Sequence, residues 1–385
     1  MKKVLFLQNE GNNFGGVWQV NKLVGEELVK HGYEVSIVSV RTTEGGSPFD
    51  NKTKMNVFII NDKETWGTYQ GRDILKKIKR FQIFDGFRMM FSRINYKIRI
   101  KKDVKKLQAY IKEMDPDYIV ASQYELLDMI PSEYLSRTIN QQHSSFSDFS
   151  NHKATMNAFY KYNNKVRFLW LSKSTCESAK KVGLNNCYYI YNAVRFKSNK
   201  KADVIKNKKL ITIARLAGQK DIVTMVEIVE EIFKDNNFKE WSLEIYGSGP
   251  EEEKIKNRIN NKRIRLMGTT DNPKIQLLKS SINLNTSIFE GFSMSILEAQ
   301  ECGVPTVSLN YWESVYEQII DGKTGIIAKN KEDFINKLKK LMLNQDKLQV
   351  MSNACKCVSE DFHIEKLIDK WIELFDVIDK DNIRL

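Results

Sequence analysis

Two carboxylates and two cations at defined spacings carry the chemistry available to this sequence. In Glu290–Pro305, reading EGFSMSILEAQECGVP, Glu290 and Glu298 stand eight positions apart. The chain passes from loop into helix between them. Glu290 falls in the loop, Gly291 permits a tight backbone path, and Ser293 and Ser295 can cap the helix that carries Glu298 in its first turns. A helix N-terminus presents free N–H groups and a positive dipole end, which suits a diphosphate. A carboxylate can accept two adjacent hydroxyls of a ribose or hexose. One carboxylate on each side of a phosphate site therefore fits a nucleotide-sugar.

The cations are Arg215 and Lys220, in RLAGQK directly after a strand. A planar guanidinium fork and a mobile ammonium on one turn can converge on a single anion. A departing diphosphate gains negative charge in the transition state, and such a pair would offset it. Gly15 and Gly16 follow the first strand, where glycines allow close backbone approach and supply N–H donors. Gly247 and Gly249 end another strand and are placed to border a nucleotide. His143, in NQQHSS, follows a candidate strand; a plain polar loop residue is the competing reading. Neither GxGxxG nor GxxxxGKS occurs at the first loop, which counts against a P-loop hydrolase.

The elements that must hold these residues alternate. Val4–Leu7, Glu34–Val40, Val57–Ile60, Tyr118–Ala121, Arg137–Asn140 and Val166–Leu171 read as strands, and Val17–His31 as a helix. The grammar restarts with strands at Lys209–Ala214, Ser242–Tyr246, Ile264–Met267, Ile282–Asn285, Thr306–Leu309 and Gly325–Ala328. Helices fall between them at Ile222–Phe233, Pro250–Asn260, Pro273–Ser280, Ser295–Cys302 and Ser314–Ile319. This is the spacing of parallel doubly wound sheets. The expected organisation is an α/β chain of two Rossmann-like domains facing a cleft. Residues 1–196 form the acceptor side, 197–208 a polar linker and 209–360 the nucleotide-sugar side. Residues 361–385 form a last helix, apolar along one face, that crosses back to the N-terminal domain.

The segment around Glu290 and Glu298 resembles the E-x7-E region of family 4 glycosyltransferases of the cell-envelope and exopolysaccharide type. The order of elements is similar to their GT-B architecture over nearly the whole chain. Gly291-Phe292, Cys302–Pro305 and the Asp321–Gly325 turn support the resemblance. It implies that Glu290 contacts the donor sugar and Glu298 the ribose of the nucleotide. It implies that Arg215 and Lys220 face the donor diphosphate, with Gly15 and Gly16 across the cleft from it. His143 then lies near the donor hexose, although the acidic residue that closely follows this His in the commoner family pattern is missing here. Gly247, Gly249, Phe292, Ser293 and Met294 complete the expected donor site, with Glu290, His143, Arg215 and Lys220 as the catalytic set.

The resemblance implies retaining transfer of a hexose or N-acetylhexosamine from a nucleotide-sugar, expected to be UDP-linked, to a saccharide acceptor. A GT-B nucleotide-sugar epimerase and a non-catalytic sugar-binding module are the rival readings. No cofactor is expected. The DxD letters at Asp115-Pro116-Asp117 sit before a strand and read as a helix-end turn, so metal-independent chemistry is expected.

The 385 residues carry a formal charge of +13, which implies an anionic partner. Between Arg72 and Lys106 thirteen Lys/Arg face three Asp, interleaved with Phe81, Phe84, Phe87 and Phe91. This reads as a surface helix docking on anionic lipid, which suits a lipid-linked acceptor. Core-packed helices with solvated lysine faces are the alternative. No nucleic-acid-binding motif is present, and nucleic acid is not an expected partner. The five cysteines are odd in number with no CxxC, and they read as reduced thiols. No signal peptide or 18-residue apolar run occurs, so a cytoplasmic protein, peripheral on the inner membrane face, is expected.

Overall fold

The computed structural model describes residues 1–11, 16–42, 53–65 and 100–383. Among them the strands build two sheets. The first contains β1 (Lys3–Gly11), β2 (Glu34–Thr42), β3 (Asn56–Thr65), β4 (Tyr118–Ala121), β5 (Thr138–Gln141), β6 (Arg167–Trp170) and β7 (Cys187–Tyr189), in the order β3-β2-β1-β4-β5-β6-β7. The second contains β8 (Lys209–Ile213), β9 (Ser242–Tyr246), β10 (Ile264–Gly268), β11 (Ile282–Asn285), β12 (Thr306–Leu309) and β13 (Gly325–Ala328), in the order β10-β9-β8-β11-β12-β13. Each sheet reverses direction beside its first strand, and that switch opens a ligand crevice at the carboxyl ends of the strands.

The strands form where apolar residues run on without alternation, because helices cover both faces of a parallel sheet. Val4, Leu5, Phe6 and Leu7 are wholly buried, and Val4 lies opposite Val35 and Tyr118 in parallel register. In the second sheet Leu210 lies opposite Leu243 and Ile282. The helix Ile222–Ile232 buries Ile222, Met225, Val226, Ile228, Val229 and Ile232 against that sheet, and the left-handed Asp221 caps its first turn through Thr224 N at 3.3 Å.

Two compact units emerge. One comprises residues 1–141, 161–168 and 374–385; the other comprises 142–160 and 169–373. These boundaries differ from those read off the sequence. In the first unit the last turns of the helix Ile364–Ile383 dock on β4: Phe375 stacks on Tyr118 with centroids 4.2 Å apart, and Asp379 accepts the Tyr118 hydroxyl at 2.8 Å. In the second unit the segment 197–208 is not a free tether. Ala202 and Val204 sit in the core, the Ala202 N–H donates to the Cys302 carbonyl at 2.9 Å, and the Ser198 N–H donates to buried Glu301 at 2.6 Å. Asp115 ends the helix 100–114 with φ +43°, as the turn reading expects.

Most of the basic stretch lies outside the described residues. The part within them, 100–106, is helical, with its lysines exposed and Asp103 buried against Arg41 at 2.7 Å. All five cysteines are free thiols. Among the described residues no helix is long and apolar enough to cross a membrane.

Candidate active site

Three strands of the second sheet deliver the site. The β8 strand ends at Ile213, and the chain continues through Arg215 to a single 3-10 turn, Gly218–Lys220. The end of β9, Gly247-Ser248-Gly249, holds that loop in place: Ala214 N–H donates to Tyr246 O, Leu216 N–H to Ser248 O and Glu251 N–H to Leu216 O. The two backbones are so close that a Cβ on Gly247 (φ +142°) would lie 1.9 Å from the Ala214 carbonyl oxygen, and one on Gly249 would lie 2.3 Å from that of Leu216. In this arrangement the glycines aim the Arg215 loop. Arg215 itself is exposed, and its side chain meets no partner among the described residues.

The third contribution is the loop after β11. Gln219 zips it to the β8 loop by donating to Phe289 O at 2.7 Å and accepting from Ile288 N at 2.8 Å. Thr286 donates to the carbonyls of Lys220 and Asp221. These ties bring Lys220 Nζ onto Glu290 Oε1 at 2.5 Å, and Ser287 Oγ donates to the same oxygen at 2.8 Å. Lys220, Ser287, Glu290 and Ser295 line one small recess of about 10 Å³ with Thr212, Ala214 and Asn285. That is room for about one water-sized group, such as a single hydroxyl of a larger ligand.

Gly291 continues the loop against His143. A Cβ there would stand 2.5 Å from His143 O and 3.1 Å from Ser144 N. Ser314 Oγ donates to Gly291 O at 2.8 Å, so backbone and side chain clamp the turn from two sides. Ser293 occupies the N-cap position of the helix Met294–Glu301, but its hydroxyl does not cap. Instead Gln318 bonds both its N–H and its carbonyl at 2.8 Å. Phe292 packs into an apolar cluster with Leu171, Val194, Leu297 and Phe362, and Met294 lies against the same cluster.

Glu298 lies elsewhere than in the recess. It is buried, and Arg195 grips both its oxygens, Nε on Oε1 and Nη2 on Oε2. Burial opposes the Arg195 charge, yet Glu298 raises its pKa. Sequence reading did not find this partner, which stands 103 positions away and immediately after Asn192-Ala193-Val194. Asn192 explains that segment's place by donating to Phe292 O at 3.1 Å. Glu317 was also missed. It accepts from the N–H groups of Lys173 and Ser174 and from Tyr191 Oη, each at 2.9 Å. Gly16 starts the helix Gly16–Lys30 in the other unit, with open space around its Cα; Gly15 lies outside the described residues.

Burial pushes the His143 imidazole down to about 4, and its Nε2 is buried with no partner among the described residues. It is therefore neutral at pH 7. The unfolded chain takes up a proton near pH 6.5. The stabilising contribution of neutral His143 is complete above that value and is lost as pH falls towards 4. His143→Asn should therefore lose less melting temperature between pH 7 and pH 5 than the wild type does. Equal losses would show that His143 titrates normally.

The Lys220–Glu290 pair and the Arg215 loop stand together at the carboxyl ends of the second sheet's strands. Residues 194–356 match the family described as glycosyl transferases group 1, and the chain is a glycosyltransferase of GT-B fold. An uncharacterized glycosyltransferase of Haemophilus influenzae is 24% identical over 96% of this chain and 99% of its own length. The poly(glycerol-phosphate) alpha-glucosyltransferase of Bacillus subtilis is 30% identical, over 42% of this chain and a quarter (25%) of that protein. The crystal structure of Staphylococcus aureus TarM superposes with a TM-score of 0.74 over 97% of this chain and 100% of that one, at 15% identity.

Proposed function

We propose that the chain moves a hexose or N-acetylhexosamine from a UDP-linked donor onto a saccharide acceptor of a cell-envelope or extracellular polymer, with retention at the anomeric carbon. The observation that carries this reading is the convergence of Lys220, Ser287 and Glu290 in one recess at the carboxyl ends of β8 and β11, beside the start of the helix Met294–Glu301. The relatives support the substrate class. The Bacillus protein is named for alpha-glucosyl transfer to poly(glycerol-phosphate), and the TarM structure holds UDP and alpha-GlcNAc-glycerol.

In this reading Arg215 and Lys220 take up the charge of the departing diphosphate, an electrostatic contribution that needs no movement of protein at the moment of reaction. Glu290 accepts hydroxyls of the sugar and fixes its orientation. The acceptor oxygen bonds to the anomeric carbon on the face the diphosphate leaves, and its proton passes to a departing phosphate oxygen. Glu290 is thus a positioning group, with no glycosyl-enzyme bond. The cations replace a divalent metal.

Proton NMR of the product from a UDP-α-sugar tests retention: an α-linkage supports it, and a β-linkage overturns it. Turnover should be unchanged by excess EDTA. Loss with EDTA that Mg²⁺ restores would show that the two cations are insufficient.

A further inference from the structure

Side chains from separate segments hold the main chain of the turn that carries Glu290. Gln219 donates to Phe289 O at 2.7 Å, Ser314 to Gly291 O at 2.8 Å, Asn192 to Phe292 O at 3.1 Å and Gln318 to Ser293 O at 2.8 Å. A loop held in this way enters a reaction already in place. Among these four residues, Gln318 is the one whose side chain bonds the turn twice, because its Oε1 also accepts from Ser293 N at 2.8 Å.

This pairing suits a carboxamide. Ser293 is extended, with φ −72° and ψ 115°, and it offers both an N–H and a carbonyl to Gln318. Gln318 answers with one acceptor and one donor, as the opposite residue does in an antiparallel ladder. A carboxylate of the same size would lose the donor, and an apolar side chain would lose both.

Gln318 is itself held. It is wholly buried, and Gln300, on the helix Met294–Glu301, donates to its carbonyl. Its neighbours Val315 and Ile319 share an apolar cluster with Ile296 of the same helix. The helix thus steadies the side chain that aims the chain into its own first turn. Glu290 stands three residues before Ser293, so a shift of the Ser293 main chain is passed on to the Glu290 carboxylate.

We propose that Gln318 is a positioning residue for sugar transfer: it sets the path of the Glu290–Ser293 turn and, through it, the place of the Glu290 carboxylate against the donor sugar. This rests on the function proposed above, in which Glu290 orients the sugar. Gln318 acts through the main chain of Ser293 and touches no reacting atom.

A double-mutant cycle on the full chain tests it. Release of nucleoside diphosphate from UDP-, GDP- and ADP-sugars is measured for wild type, Gln318→Met, Glu290→Gln and the double variant. A misplacement of about 1 Å can cost about 10²-fold in rate, and Gln318→Met should lower kcat by about that factor. In the Glu290→Gln background the same substitution should change kcat by less than about 2-fold, because the group that Gln318 positions is already gone. A merely structural role would lower kcat by the same factor in both backgrounds. That result, or an unchanged kcat in Gln318→Met, would overturn the assignment. If Gln318→Met does not fold, Gln318→Glu keeps the size and the acceptor and loses the donor, and its loss of kcat must likewise vanish in the Glu290→Gln background. A wild type that releases diphosphate from none of the sugars overturns the proposed function itself, before any variant is compared.

Discussion

Glu290→Gln should lower kcat by about 10²- to 10³-fold, the usual cost of removing one preorganised electrostatic contact, while leaving the affinity for UDP undiminished. The substitution keeps the shape of the recess and removes its charge. Glu290 Oε1 accepts from Lys220 and Ser287 in the structure, so without ligand the carboxylate holds the lysine that the diphosphate needs. Neutralising it frees Lys220, so binding of UDP should hold or tighten while orientation of the sugar is lost. Steady-state kinetics with calorimetry on the same samples separates the two effects. A parallel fall in UDP affinity and kcat would mean that Glu290 supports the fold of the loop and does not act on the sugar.

The second large effect is expected at Gly291. A methyl group there would sit 2.5 Å from the His143 carbonyl oxygen and 2.7 Å from its carbon. Both are main-chain atoms, so no change of rotamer relieves the contact. Either the strand-following segment around His143 or the Glu290 loop must move, and Ser314 and Asn192 hold that loop from other sides. Gly291→Ala should cost about 3 kcal/mol of stability, the upper part of the usual range for forced overpacking. It should also abolish most activity, because Glu290 is the adjacent residue. Gly16→Ala is a control for stability: no described residue lies within 4 Å of its added Cβ, and its melting temperature should match the wild type. A Gly291→Ala variant as stable as Gly16→Ala and as active as the wild type would show that the close approach to His143 is not part of the native state.

The second sheet was legible because its strands are short apolar runs bounded by Gly, Asp and Asn. Ser242–Tyr246, Ile282–Asn285, Thr306–Leu309 and Gly325–Ala328 stand where the apolar runs place them. The three-residue β7 carries too little pattern to announce itself, since only Cys187 of the three is buried. The helix read over Pro250–Asn260 shrinks to Glu252–Lys256, where Ile255 alone is buried and tertiary packing has little to hold.

Composition alone does not show how 197–208 is held. A lysine-rich run looks like a tether, yet two small apolar residues within it, Ala202 and Val204, are enough to seat it in the core. At the site, Glu290, Lys220 and the glycines were readable because each sits at a strand end, where loops converge by topology. The commitment of Glu298 to Arg195 was not readable, because a pair 103 positions apart leaves no local period. The same holds for Gln318, which fixes the Ser293 backbone at the start of the Met294–Glu301 helix through its N–H and carbonyl.

The most direct test of glycosyl transfer at this site is release of nucleoside diphosphate from UDP-, GDP- and ADP-sugars, by wild type and by Arg215→Ala. The account predicts slow release from UDP-sugars in the wild type, accelerated by a saccharide acceptor and lost in the variant. An isomerised nucleotide-sugar with no free diphosphate, or release unaffected by Arg215→Ala, would contradict it.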